Sequence, residues 1–273
     1  MSRAAIVRSL LVTALFLAGC DDREAGPSQV RENAFVWSGH AKAGSTLHVR
    51  DFAGDITVQP SADDTVRVTA QLEWRGQDAE RQVRFTGSIV GDDVLICAIW
   101  GDGQCSIADY KANFKGRGGM RAKANFTVQV PAGVKLSLSN ISGDIKAASS
   151  AQVEATTMDG DVLVVTAVGP VRGETLNGSV DIRMSSLAAG SDSVVAKTLN
   201  GDAFIYLSSL SDARVDLSVM NGDVSSAFAD PAAAPAEKRR IAFSVGTGAR
   251  AVVAHVLNGD AALRSLDAQG RAP

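Results

Sequence analysis

The chain has 273 residues, 45% of them hydrophobic but only 5% aromatic, and carries 27 basic against 30 acidic side chains. This is apolar content enough for a sizeable core. The acidic balance excludes a protein that gathers nucleic acid or another polyanion by charge, which needs the opposite sign.

Residues 1–19 read as an export signal that is removed from the mature chain. Arg3 and Arg8 form a short positive region, and Leu10 to Leu17 an apolar stretch shorter than the roughly 20 helical residues that cross a bilayer. The stretch ends in Leu17-Ala18-Gly19-Cys20, which resembles the bacterial lipoprotein signal. That resemblance implies that Cys20 becomes the lipidated first residue of the mature chain and its membrane anchor, each buried CH₂ of the lipid contributing about 0.8 kcal/mol. Asp21 and Asp22 resemble the signal that retains enteric lipoproteins at the inner membrane, implying an envelope protein facing the periplasm. Residues 20–33 are polar and charged, and the expectation is a flexible tether.

Residues 34–131 show β patterning without a visible repeat. Val66/Val68/Ala70/Leu72 and Ala124/Phe126/Val128/Val130 alternate strictly, the latter stopping at Pro131, and Val94 to Trp100 is the continuous apolar run of a buried strand. Gln77 to Val83 suits one short helical turn. The region is expected to form a sheet that caps the repeats after it. Cys97 and Cys105, an even pair in an exported chain with Gly101-Asp102-Gly103 between them, are expected to form a structural disulfide. Lys115, Arg117, Arg121 and Lys123, among glycines, read as a solvated hairpin tip.

Residues 132–266 are dominated by one phrase: a large apolar residue, a turn residue, glycine, an acidic or small polar residue, then an aliphatic one. The first copy is Phe52-Ala53-Gly54-Asp55-Ile56, upstream of that region. Six more surround Gly143, Gly160, Gly178, Gly201, Gly222 and Gly259. An aliphatic residue stands seven positions before each glycine (Leu47, Leu136, Val153, Val171, Val194, Val215, Val252), and alternation resumes after it. Each unit is therefore strand, corner, strand. Asn-Gly between alternating strands is also the signal of an antiparallel hairpin, so a meander competes. Only one corner per unit is strongly specified, however, and the glycines from Gly143 to Gly222 are spaced by 17, 18, 23 and 21 residues. That spacing favours an all-β fold built as a parallel β-solenoid of consecutive coils. Between Gly222 and Gly259 an Ala/Pro stretch from Ala229 to Arg240 reads as an expelled loop, and Gly246-Thr247-Gly248 stands where a corner is expected. Residues 267–273 form a polar tail.

Six corners carry aspartate after the glycine: Asp55, Asp144, Asp161, Asp202, Asp223 and Asp260. Stacked about 4.8 Å apart, these carboxylates suggest a Ca²⁺ ladder or a carboxylate active site. The alternative is turn chemistry, each carboxylate bonding a nearby backbone N–H. The interruption at Ser179 and the lack of nonapeptide Ca²⁺ spacing favour the turn. His40, His48 and His255 are scattered, and no nucleophile elbow, phosphate loop or dinucleotide fingerprint occurs. No catalytic residue, metal or cofactor is therefore expected.

The ordered phrases, the Val128-Gln129-Val130-Pro131 strand end leading into Val134 to Ser139, and the late Gly246-x-Gly248 resemble a bacterial family over about Thr46 to Leu266. Its members are β-strand-repeat proteins known as putative adhesins and as a domain of unknown function. The resemblance implies a β-solenoid, export and frequent lipid anchoring, and brings no catalytic residues with it. The expected function is a non-enzymatic, lipid-anchored envelope protein that presents its repeat surface to a protein or glycan, with no nucleic-acid partner. A polymerising or sensory envelope component and a carbohydrate-active enzyme using the aspartates are the competing readings.

Overall fold

A computed structural model of the chain describes residues 28–76, 79–113, 122–166, 169–185, 187, 193–228 and 239–267. The signal, Cys20, most of the tether, the basic loop around Lys115 to Arg121, the Ala/Pro stretch 229–238 and the tail 268–273 lie outside the described residues. The described part is all-β, with one short 3₁₀ turn at Ala79–Gln82.

Each unit contributes one strand to each of two ten-stranded sheets. The strands entering the corners, from Thr46–Arg50 through Lys135–Ser139, Val153–Thr156, Val171–Asn177 and Val194–Asn200 to Arg250–Asn258 and Ala213–Asn221, pair in parallel, in that order. The strands leaving them, from Ile56–Pro60 to Val224–Ser226, do the same on the other side. The register aligns the aliphatic residue seven before each glycine into one buried column: Leu47, Leu136, Val153, Val171, Val194, Val252 and Val215. Ile56, Ile145, Val162, Val180, Ala203 and Ala261 form the facing column. Alternation along a strand sends every second side chain inward, so each coil adds a fresh pair of columns' worth of apolar surface, about 1.5–3 kcal/mol per fully buried Val, Leu or Ile.

The sheets are mixed rather than parallel throughout, which corrects the expectation of a parallel β-solenoid beside its N-terminal sheet. At the N-terminal end Gln29–His40 and Thr65–Trp74 extend one sheet in antiparallel fashion beyond Ala122–Val130, and Val83–Val90 pairs antiparallel with Asp93–Trp100 on the other. At the far end Arg240–Val245 lies antiparallel to Ala213–Asn221. These strands belong to no repeat. They cover sheet edges that would otherwise present unpaired backbone groups.

Two further expectations are corrected. The units do not stack in chain order: the Gly259 unit inserts between those of Gly201 and Gly222, because the chain leaves the Gly222 unit, returns as the edge strand Arg240–Val245, and then fills the adjacent slot. Gly246-Thr247-Gly248 is consequently the turn that carries the chain past the start of Ala213–Asn221, from Arg240–Val245 on one side of it to Arg250–Asn258 on the other, and not a corner, with the Thr247 N–H donating to Asp212 Oδ1 at 2.6 Å. The tether also ends sooner than its composition suggests. Gln29, Val30 and Arg31 already pair with Trp74, Glu73 and Leu72, since an edge strand is held by backbone bonds and needs few apolar side chains.

Candidate functional site

The seven corners align into a ladder along one side of the molecule, and each position of the phrase makes its own row. The glycines form the tightest. Gly54, Gly143, Gly160, Gly178, Gly201, Gly222 and Gly259 all have φ between +128° and +153°, a backbone that side-chain-bearing residues rarely adopt. A Cβ at Gly201 would stand 2.1 Å from the Gly178 carbonyl oxygen, and the others from Gly143 onward meet a neighbouring glycine carbonyl equally closely. Glycine is required twice over, for its conformation and for the approach of the next coil.

Four of those carbonyls, of Gly54, Gly143, Gly160 and Gly178, are satisfied from within by residues that the phrase does not include. Three positions before the glycine stands a buried polar residue in the first five units: Asp51, Asn140, Thr157, Thr175 and Thr198. The Thr157, Thr175 and Thr198 hydroxyls donate to the carbonyls of Gly143, Gly160 and Gly178 at 3.1, 2.9 and 2.8 Å, and the Asn140 amide donates to Gly54 at 2.5 Å. Asp51 occupies this position in the first coil, where no earlier coil offers a glycine carbonyl. There the Trp100 indole donates to Asp51 Oδ1 at 3.0 Å and the Phe52 N–H at 2.7 Å, while Oδ2 has no hydrogen-bond partner. Complete burial pushes the Asp51 carboxyl up to about 8, against the lowering effect of those donors.

Beside this cluster Cys97 and Cys105 are joined by a disulfide, and Arg50 donates to the carbonyls of Ser137 and Ile107. Burial, aided by the neighbouring Arg50, holds the His48 imidazole below its usual range.

The aspartates link coil to coil. Asp55 Oδ1 accepts from the Asp144 N–H, Asp144 from Asp161, and Asp161 from Ser179, all at 2.8–3.0 Å. Ser179 Oγ accepts from Asp202, which accepts from Asp260, which accepts from Asp223. The bonded N–H, expected only to be a nearby one, belongs to a neighbouring coil. Ser179 keeps the chain of bonds intact because a hydroxyl also accepts. Among the described residues no group of three His, Cys, Asp or Glu is close enough to hold a metal ion. The asparagines form a parallel amide row, each side-chain N–H donating to the next unit: Asn177 to Asp159, Asn200 to Asn177, Asn258 to Asn200 and Asn221 to Asn258.

The last row faces solvent. Between the paired rows of Thr175/Thr198/Val256/Val219 and Asn177/Asn200/Asn258/Asn221 lie Leu176, Leu199, Leu257 and Met220, continued toward the first coil by Met158, Ile141 and Phe52. Met158, Leu199 and Met220 are 44%, 44% and 58% exposed. Outward of them on the same sheet run Thr156, Glu174, Lys197, His255 and Ser218. At the far end Leu199, Met220, Leu257, Lys197, His255 and Arg239 line a shallow groove of about 550 Å³. The phrase marks the apolar residue that opens it but not the side that residue faces. Parity supplies the signal: with positions seven and five before the glycine inward, the position two before it must point out, and the position three before it must point in.

No protein-family model matches the chain, and no curated protein sequence matches it. Among solved structures it is similar to a putative cell adhesion protein from Clostridium sporogenes, at 8% identity, covering 86% of this chain and all of that one with a TM-score of 0.47. It is similar also to a putative adhesin from Bacteroides fragilis, at 9% identity, 87% and 97% coverage and a TM-score of 0.26. A third is a putative adhesin from Parabacteroides distasonis, at 8% identity, 85% and 97% coverage and a TM-score of 0.21.

Proposed function

We propose that this chain is a non-enzymatic, lipid-anchored protein of the cell envelope, a short two-sheeted β-solenoid with capped ends that offers the outer side of its corner ladder to a binding partner. The observation that carries this reading is the apolar row from Ile141 to Met220, in which Met158, Leu176, Leu199 and Met220 are exposed and Ile141 and Leu257 half-buried. Scattered surface leucines are ordinary, but a contiguous apolar strip with a polar margin marks an interaction surface. Aliphatic rungs favour a protein partner over a glycan, whose sugar faces stack on aromatic rings. Anchoring rests on the Leu17-Ala18-Gly19-Cys20 signal, and Asp21-Asp22 favours the inner membrane. The aspartate row supports a structural role, each Oδ1 from Asp55 to Asp260 being used by the backbone of a neighbouring coil.

The test is photo-crosslinking in the intact envelope from a benzophenone side chain at position 199, compared with one at the solvent-facing position 146 of the opposite sheet. Adducts formed from 199 and not from 146 are expected. Equal adducts from both, or none from 199, reject the ladder as the binding surface.

A further inference from the structure

We infer that the partner of the corner ladder is a second copy of this chain, docked face to face with its stack running the opposite way. The inference rests on the reading of the apolar row as a binding surface and goes on to name what covers it.

The first argument is commensurability. Leu176, Leu199, Leu257 and Met220 project from strands hydrogen-bonded in register, and Phe52, Ile141 and Met158 from corners bridged in the same register, so the rungs repeat at the inter-strand spacing of about 4.8 Å. Rows of side chains interdigitate over many repeats only with a row of the same period, as in the dry interfaces of stacked sheets. An α-helix laid along the row advances about 5.4 Å per turn and drifts out of step by most of a rung across the seven. A second ladder stays in step from end to end.

The second argument is charge. On the sheet face beside the rungs, successive coils carry Thr156, Glu174, Lys197 and His255, with Glu174 also 2.7 Å from Arg172 and 3.8 Å from Lys197 of its own chain. A two-fold axis lying along the strand direction and passing midway between Leu176 and Leu199 sets Glu174 of each copy opposite Lys197 of the other, and Thr156 opposite His255. It also sets Leu176 against Leu199, Met158 against Leu257 and Ile141 against Met220, and it lays the Asn177 and Asn200 amides together. An axis through Leu176 would instead put Glu174 against its own copy, and one through Leu199 would do so for Lys197. Like charges directly opposed are destabilising, so the charges disfavour those two axes and favour the one that sets Glu174 opposite Lys197. The interface is isologous and closed, giving a dimer and not a fibre.

The register is testable by cysteine crosslinking of the full-length lipoprotein in membranes. Met158 and Leu257 lie three rungs apart within one chain but face each other between copies. Co-expressed Met158→Cys and Leu257→Cys chains, distinguished by different tags, are expected to form a mixed disulfide dimer on mild oxidation, while neither variant does so alone. Glu174→Lys is expected to cut the yield at least fivefold, and combining it with Lys197→Glu to restore it. The absence of the mixed dimer in variants that retain wild-type thermal melting overturns the inference, as does equal crosslinking of Met158→Cys with itself. Should the 199 photo-crosslinker still capture a different envelope protein, the ladder remains a binding surface and only its second-copy occupant is lost. Failure of both experiments removes both readings.

Discussion

The buried Thr198 hydroxyl donates a hydrogen bond of 2.8 Å to the carbonyl oxygen of Gly178, one coil away in the corner ladder. The bond answers a need created by the glycine itself, whose unusual backbone turns a carbonyl toward the neighbouring coil. Thr198→Val keeps the shape and leaves that carbonyl without its donor, and should cost about 1–3 kcal/mol in chemical denaturation. Thr198→Ser keeps the donor and should lose less than half as much.

Gly201→Val is expected to be far more damaging. The residue has φ of +136°, and its new Cβ would stand 2.1 Å from the Gly178 carbonyl oxygen. Conformational strain and the forced separation of two coils should together exceed about 3 kcal/mol. Asn200→Gly loses two exposed amide bonds, to Asn177 and from Asn258, and should cost only about 0.5–1.5 kcal/mol. Melting temperatures of the two variants, measured side by side, check the contrast.

Asp51 gives the fold a pH dependence of definite sign. Its carboxyl titrates near 8 in the folded chain because it is buried, against about 4 in an unfolded one. Between those values the folded chain holds a proton that the unfolded chain has released. The contribution is therefore most favourable below about pH 4 and is lost as pH rises toward 8. Asp51→Asn retains an oxygen for the Trp100 indole and removes the titration. Denaturation midpoints at pH 5 and pH 8 should converge in the variant, with a gain at pH 8 on the order of a few kcal/mol. A variant less stable than wild type at pH 8 would mean that the carboxylate is needed.

Asp202→Asn should be mild, below about 1 kcal/mol, because an amide oxygen still accepts the N–H of Asp260. The loss should be the same in Ca²⁺ and in chelator. A loss seen only with Ca²⁺ present would show that the aspartate row holds cations.

Cys20→Ser should leave an unprocessed or soluble precursor. Labelled palmitate should enter the wild type and not the variant, and incorporation into the variant would refute the lipid anchor. Fractionation of the wild type on a density gradient tests whether it stays with the inner membrane, as Asp21 and Asp22 suggest.

The repeating core was legible because side-chain alternation and the glycine spacing are properties of one chain segment. Leu47, Leu136 and Val153 reveal their common column through their fixed distance from the glycine that follows each of them. The same parity also points Asp51 and Thr198 inward and Leu199 outward, a direction that the conspicuous Asn-Gly-Asp corners overshadow. Other features depend on which segments meet. The aspartate carboxylates bond the backbone of a neighbouring coil, and no spacing within a unit distinguishes that from a bond within the turn. The antiparallel strands at the ends, such as Val83–Val90 and Arg240–Val245, follow the same alternation as any strand, so their direction could not be read from it. Nor could the order Gly201, Gly259, Gly222, since Val215 and Val252 fit either slot equally well.

That exchanged order has a kinetic consequence. A chain made from its N-terminus can zip up coil by coil as far as the Gly201 unit, each new strand finding its template already in place. The Gly222 unit, next to emerge, has no template until residues 250–265 arrive to stand between it and the rest. Completion therefore waits for residues 250–265, and these two strands serve as the keystone between the Gly201 and Gly222 units. A chain ending before Arg250 would keep its first five coils and leave the Gly222 unit unmoored, a ready target for proteolysis that singles out incomplete molecules.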